Sequence, residues 1–102
     1  MAARAVTGLE VRVRGRVQGV GFRAWVQWSA LDRGLEGWVR NRRDGSVEAV
    51  FCGEAGVVSE MVAACRRGPS GAWVDALDER AGSQADLDLR RPGERFSVML
   101  TA

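Results

Sequence analysis

A chain of 102 residues, 46% hydrophobic and 27% charged, suits one small soluble domain with a single core. No apolar run approaches the roughly 20 residues of a membrane span, and the N-terminal MAARAVTGLEV lacks the apolar stretch of a secretory leader, so the expectation is a cytoplasmic protein without a membrane partner. The net charge of +2, from 15 basic and 13 acidic residues, is too mild to call for nucleic acid, and because every basic residue is arginine no lysine is present for Schiff-base or phosphate-loop chemistry.

The elements follow in chain order, with no internal repeat and no low-complexity segment. In LEVRVRG, Leu9, Val11 and Val13 alternate with Glu10, Arg12 and Arg14, the period-two pattern of a strand with one buried face. The glycine-rich GRVQGVGFR, Gly15 to Arg23, then leads into a helix over FRAWVQWSALDR. Phe22, Trp25, Val26, Ser29 and Ala30 share one face of that helix, and Gly34 stops it. EGWVRN, the turn RRDG and SVEAVFC read as a hairpin, signalled by Asp44-Gly45. Gly53 opens a second helix, roughly Glu54 to Arg66, with an apolar stripe of Val57, Val58, Met61, Val62 and Cys65, and RRGPSG ends it. AWVDALDER is a fourth strand with imperfect alternation. AGSQADLDLRRPGE is a polar connection with one irregular turn at most, and RFSVMLT closes the chain with Phe96, Val98 and Leu100 on one face. The order β-α-β-β-α-β plus a short last strand predicts an α+β, ferredoxin-like sandwich: a single domain over 1–102, with two helices on one face of a mainly antiparallel sheet.

The chemistry on offer is narrow. Without histidine, a Ser-His-Asp or Cys-His device is excluded. Cys52 and Cys65 lie outside any C-x-x-C pair and read as reduced thiols, not metal ligands. Glycines 15, 19 and 21 allow successive N–H groups to converge at a helix start, which is an anion site, and Arg23 in the first helical turn can reach it with a planar fork that matches phosphate. The plainer alternative is a tight connection with a solvated arginine. GVGFRA also fits a loose dinucleotide fingerprint, but a Rossmann unit needs parallel βαβ units and more chain. A reaction with so little proton chemistry from the protein suits an acyl phosphate, whose carboxylate leaves without a general acid, so that positioning and charge balance suffice. Asn41, at the end of EGWVRN, offers a donor and an acceptor to orient a water; its plainer reading is a turn-opening asparagine.

Taken together, the two motifs resemble the acylphosphatase family. G-x-V-Q-G-V-x-F-R is met by Gly15, Val17, Gln18, Gly19, Val20, Phe22 and Arg23, and G-x-V-x-N-x-x-D-G-x-V by Gly37, Val39, Asn41, Asp44, Gly45 and Val47; RRGPSGAWVD resembles a third segment. The likeness runs over roughly residues 9 to 80 and extends to the last strand. It implies the ferredoxin-like fold and hydrolysis of an acyl phosphate to a carboxylate and phosphate, without metal or organic cofactor. By the same resemblance, Arg23 binds the phosphate with the loop N–H groups of Val17, Gln18, Gly19, Val20, Gly21 and Phe22, Asn41 orients the attacking water, and phosphate is product or inhibitor. The lack of further domains or zinc-finger cysteines points to a free-standing enzyme, expected to be a monomer. Two alternatives share the topology: a non-catalytic anion-binding or regulatory module, and an RNA-binding module, whose strand aromatics SVEAVFC does not supply. Trp28, at an outward helix position, reads as partly packed against a neighbour, with a partner surface as the alternative, and the segment 82–94 carries no family signature.

Overall fold

A computed structural model describes residues 6–102. The expectation for the N-terminal segment rests partly on residues 1–5, which lie outside the described residues. The chain order is β1 (Val6–Arg16), α1 (Phe22–Asp32), β2 (Glu36–Asn41), β3 (Val47–Glu54), α2 (Ala55–Arg67), β4 (Trp73–Ala81), the single helical turn α3 (Gln84–Leu87) and β5 (Phe96–Met99). The strands form one sheet in the order β4-β1-β3-β2-β5, antiparallel throughout except for the parallel pair β2 and β5. The ferredoxin-like α+β arrangement with an added C-terminal strand is thus the architecture.

Alternation sets the layers. Val11, Val13, Val39, Val47, Ala49 and Phe51 point from the sheet toward α1 and α2, where they meet Phe22, Val26, Val58 and Met61 in one core. Each fully buried side chain of this size contributes roughly 1.5–3 kcal/mol. Cys65 is also in this layer, and burial pushes its thiol up to about 12 against the weaker pull of Arg33, which makes it a packing residue. Cys52 is likewise a free thiol.

The opposite face of the sheet is not bare, which the sequence pattern did not reveal. Trp38 and Val50 are buried there. The segment read as a polar connection covers them: α3 packs on β2 and β3, Leu87 is buried, and the Trp38 Nε1–H donates to the Asp86 carbonyl at 2.6 Å. A capping box builds this turn, with the Asp86 N–H donating to Ser83 Oγ and the Ser83 N–H to the Asp86 carboxylate. Leu100, expected to share the core face of the last strand, lies past the end of β5 and is 81% exposed.

The imperfect alternation of β4 has a cause. The register between β1 and β4 shifts between Arg14 and Gly15, where Arg14 faces Ala76 and Gly15 faces Val74, so Asp75 is an extra residue. Val74 and Leu77, three apart, therefore both pack against the core. Gly15 belongs to this bulge and not to the loop that follows. Its φ is 130°, and a Cβ there would run into the Trp73 carbonyl oxygen. Gly19 and Gly21 have φ of 73° and 76° with open space where a Cβ would be. Gly15→Ala should therefore cost on the order of 3 kcal/mol or more, from overpacking and backbone together, and Gly19→Ala only about 1–2 kcal/mol. Urea midpoints measure both, and equal losses would contradict the separate roles.

Candidate active site

The loop between β1 and α1 is built to leave donors free. Gly19 and Gly21 take positive φ, while among the described residues no non-glycine residue does, so the chain alternates sign through Val20, the arrangement that turns successive N–H groups into one concavity. Gly21 is also the N-cap of α1 and has no side chain to satisfy the helix start. The other two helices are capped: Glu54 accepts from Gly56 and Val57 N–H groups at the start of α2, and Ser83 serves α3. Among the described residues, no N–H group from Val17 to Ala24 donates to a protein acceptor. These free donors sit where the helix macrodipole is positive, and the first turn of α1 holds no acidic residue.

Arg23 stands over this start, half-buried. Its Nη1 donates to the Met99 carbonyl at 3.4 Å, and among the described residues no carboxylate pairs with it. A guanidinium has five N–H donors, so most of its capacity is unclaimed. Arginines elsewhere are spent differently. On the opposite face of the sheet the buried Glu48 holds Arg40 at 2.9 Å and Arg42 and Arg12 at 3.4 Å, and Arg80 pairs with the buried Glu10.

Asn41 reaches the same place from the sheet. It shares the helix-side face of β2 with Val39 and pairs across with Val47. Its backbone carbonyl accepts from the Ala102 N–H at 3.1 Å, while its carboxamide makes no hydrogen bond within the protein among the described residues. One cleft of about 460 Å³ is lined by Val17, Gln18, Gly19, Gly21, Phe22, Arg23 and Asn41, together with Ala24, Gln27 and Val98. Val20 is not part of that lining; its side chain packs on the core. The residues that sequence reasoning missed come from the next turn of α1 and from β5. Their signal was topological: β5 pairs with β2 and so brings Val98 beside Val39.

The loop and Asn41 are tied together by Gln18. Its Nε2 donates to the carbonyls of Arg42 and Ser46, each at 2.8 Å, straddling the hairpin turn. The turn is itself closed by Arg42 N–H to Ser46 O at 2.8 Å and Gly45 N–H to Arg42 O at 3.1 Å. Asp44 accepts from the Ser46 hydroxyl and N–H, at 2.6 and 2.9 Å. Those bonds, with lesser help from Arg14 and Arg12, hold the Asp44 carboxyl down at about 2 from 3.8. The folded value is below the unfolded one, so the stabilisation is present above about pH 4 and is lost as pH falls through about 2.

A family model for acylphosphatase matches residues 9–96. The chain belongs to the acylphosphatase family. It is 64% identical over 92 residues to the acylphosphatase of Rhodopseudomonas palustris strain BisB18, covering 90% of this chain and 93% of that one. The acylphosphatase of Bradyrhizobium diazoefficiens is 57% identical over 93 residues, covering 91% and 94%. Among solved structures, an acylphosphatase from Coxiella burnetii superposes with a TM-score of 0.81 at 31% identity, over 97% of this chain and 100% of that one. The acylphosphatase fold here is held at its loop by Gln18. Gln18→Leu should lower stability by about 1–3 kcal/mol, the worth of two partly buried hydrogen bonds. Urea denaturation checks this, and an unchanged midpoint would show that the tie contributes nothing.

Proposed function

We propose that the cleft hydrolyses acyl phosphates through Arg23, the loop N–H groups of Val17, Gln18, Gly19, Val20, Gly21 and Phe22, and Asn41. Hydrolysis of acyl phosphates to a carboxylate and phosphate is the activity of the family to which the chain belongs. The observation that carries the residue assignment is a half-buried arginine that, among the described residues, has no carboxylate partner, at one cleft with a run of unclaimed N–H groups and a carboxamide that likewise has no partner there.

The phosphoryl oxygens take the loop N–H groups and the Arg23 fork, which balance their charge in a geometry fixed before substrate arrives. A water held by the Asn41 carboxamide attacks phosphorus. The bond from phosphorus to the acyl oxygen breaks, and the carboxylate departs with that electron pair. A carboxylate is a weak base, so it needs no general acid. The proton of the attacking water passes to a phosphoryl oxygen, which takes the place of a protein base in a lining that holds neither histidine nor carboxylate.

The same reading has the chain acting as a cytoplasmic monomer, without metal, and inhibited by its product phosphate. Among the described residues, no three acidic or cysteine side chains converge as metal ligands, and no helix is long and apolar enough to cross a membrane. A non-catalytic anion-binding module is the competing reading, and turnover separates the two.

Hydrolysis of benzoyl phosphate by the full chain should proceed in excess metal chelator. Arg23→Gln should abolish it and weaken inhibition by phosphate. Asn41→Ala should lower kcat by roughly 100-fold or more while phosphate inhibits as before. Inhibition unchanged in the arginine variant would remove Arg23 from the site, and near-normal kcat in the asparagine variant would remove Asn41.

A further inference from the structure

Asn41 is the last residue of β2, at the mouth of the hairpin turn, and its neighbours on both sides are arginines, Arg40 and Arg42. Alternation sends their side chains to the opposite face of the sheet from its own. There both end on one atom. Glu48 Oε1 accepts from Arg40 Nε at 2.9 Å and from Arg42 Nη1 at 3.4 Å. Its other oxygen accepts from Arg12 Nη2 at 3.4 Å. Glu48 lies on β3, directly across from Arg12 on β1 and from Arg40 on β2, so the row spans three strands. The Arg40 guanidinium is fixed further by the Trp38 ring, 4.7 Å from its centroid.

Glu48 is only 5% exposed. Burying a carboxylate is a poor way to stabilise a sheet, because an apolar side chain of similar volume often does as well or better. An apolar side chain cannot hold two guanidiniums at defined points. By gripping residues 40 and 42 from one face, Glu48 fixes the pleat between them, and with it the direction in which residue 41 leaves the other face. Arg42 is held twice, its guanidinium by Glu48 and its carbonyl by Gln18 Nε2 at 2.8 Å. The back of the sheet and the loop after β1 therefore meet at the residue that follows Asn41.

We propose that Glu48 is a positioning residue for hydrolysis, which orients the Asn41 carboxamide through Arg40 and Arg42 and touches no substrate. This rests on the proposed assignment of the attacking water to Asn41. Arg12 is the internal contrast: it shares the same carboxylate but stands on β1 and does not flank Asn41.

The test is a mutant cycle on the full chain, with kcat for benzoyl phosphate and inhibition by inorganic phosphate as readouts. Glu48→Gln keeps the shape of the side chain and removes its charge. It should lower kcat by roughly 10-fold, as for a misplacement of less than about 1 Å, and leave phosphate inhibition within about twofold. Arg42→Gln, at a side chain 30% exposed, should lower kcat in the same way but by less, and it carries the test if Glu48→Gln does not fold. Arg12→Gln should leave kcat as it is. In an Asn41→Ala background neither Glu48→Gln nor Arg42→Gln should lower kcat further, because both act through Asn41. The proposal is overturned by a kcat unmoved in Glu48→Gln and Arg42→Gln, by a parallel loss of phosphate inhibition, by an equal loss in Arg12→Gln, or by a full further loss in the Asn41→Ala background. Position is also read without turnover, from the Asn41 side-chain amide resonances of the 15N-labelled chain. A wild-type chain that hydrolyses nothing, with those resonances moved by Glu48→Gln and not by Arg12→Gln, would keep the positioning and defeat the hydrolase reading. Turnover with kcat and resonances both indifferent to Glu48 and Arg42 would do the reverse.

Discussion

Two hydrogen bonds from one carboxamide hold the site in register. The Gln18 side chain spans from the loop after β1 to the carbonyls on either side of the hairpin turn, Arg42 and Ser46. The loop has no secondary structure of its own between Arg16 and Phe22. Its N–H groups find no acceptor among the described residues, so they do not anchor it. A side chain must do that, and glutamine can satisfy two acceptors while its own backbone N–H stays available. Asn41 is one residue before the tie, at the end of a strand paired on both sides. The distance from cradle to carboxamide is therefore fixed by β2, the turn and Gln18 together.

The partition of charge follows the two faces of the sheet. Away from α1 and α2, buried Glu48 and Glu10 engage Arg12, Arg40, Arg42 and Arg80. Burying a carboxylate is costly unless it is paired, and several arginines share that role here. On the side of α1 and α2, Arg23 stands at a cleft whose lining, among the described residues, holds no acidic side chain. A counter-ion beside it would compete with any phosphoryl group. The missing cap at Gly21 works in the same direction: an Asp or Ser there would take N–H groups that Gly21 leaves free.

Much of this was legible in the sequence. The alternation of Leu9, Val11 and Val13, the Asp44-Gly45 turn and the stripe of α2 placed the core elements because each rests on local periodicity or turn chemistry. The two motifs marked most of the cleft, since a glycine-rich loop before a helix and an asparagine at a strand end carry their chemistry locally. What was not legible depends on tertiary context. The bulge at Gly15 needs β4 as its partner, so that glycine read as part of the loop. α3 covers Trp38 from a stretch that looks polar, because its capping box is short and only Leu87 is buried. The tie made by Gln18 joins residues 24 and 28 positions apart and leaves no periodic trace. Val98 and Met99 enter the site only through the parallel pairing of β5 with β2.

The most direct measurement is a phosphate titration of the 15N-labelled chain followed by amide chemical shifts. If the uncapped loop and Arg23 form the anion cradle, the amides from Val17 to Ala24 and the Arg23 Nε–H move together with one affinity. The Gln18 side-chain amide, already committed to Arg42 and Ser46, keeps its two separate resonances. Shifts confined to the arginine cluster around Glu10 and Glu48 on the other face of the sheet, with the loop silent, would contradict the account.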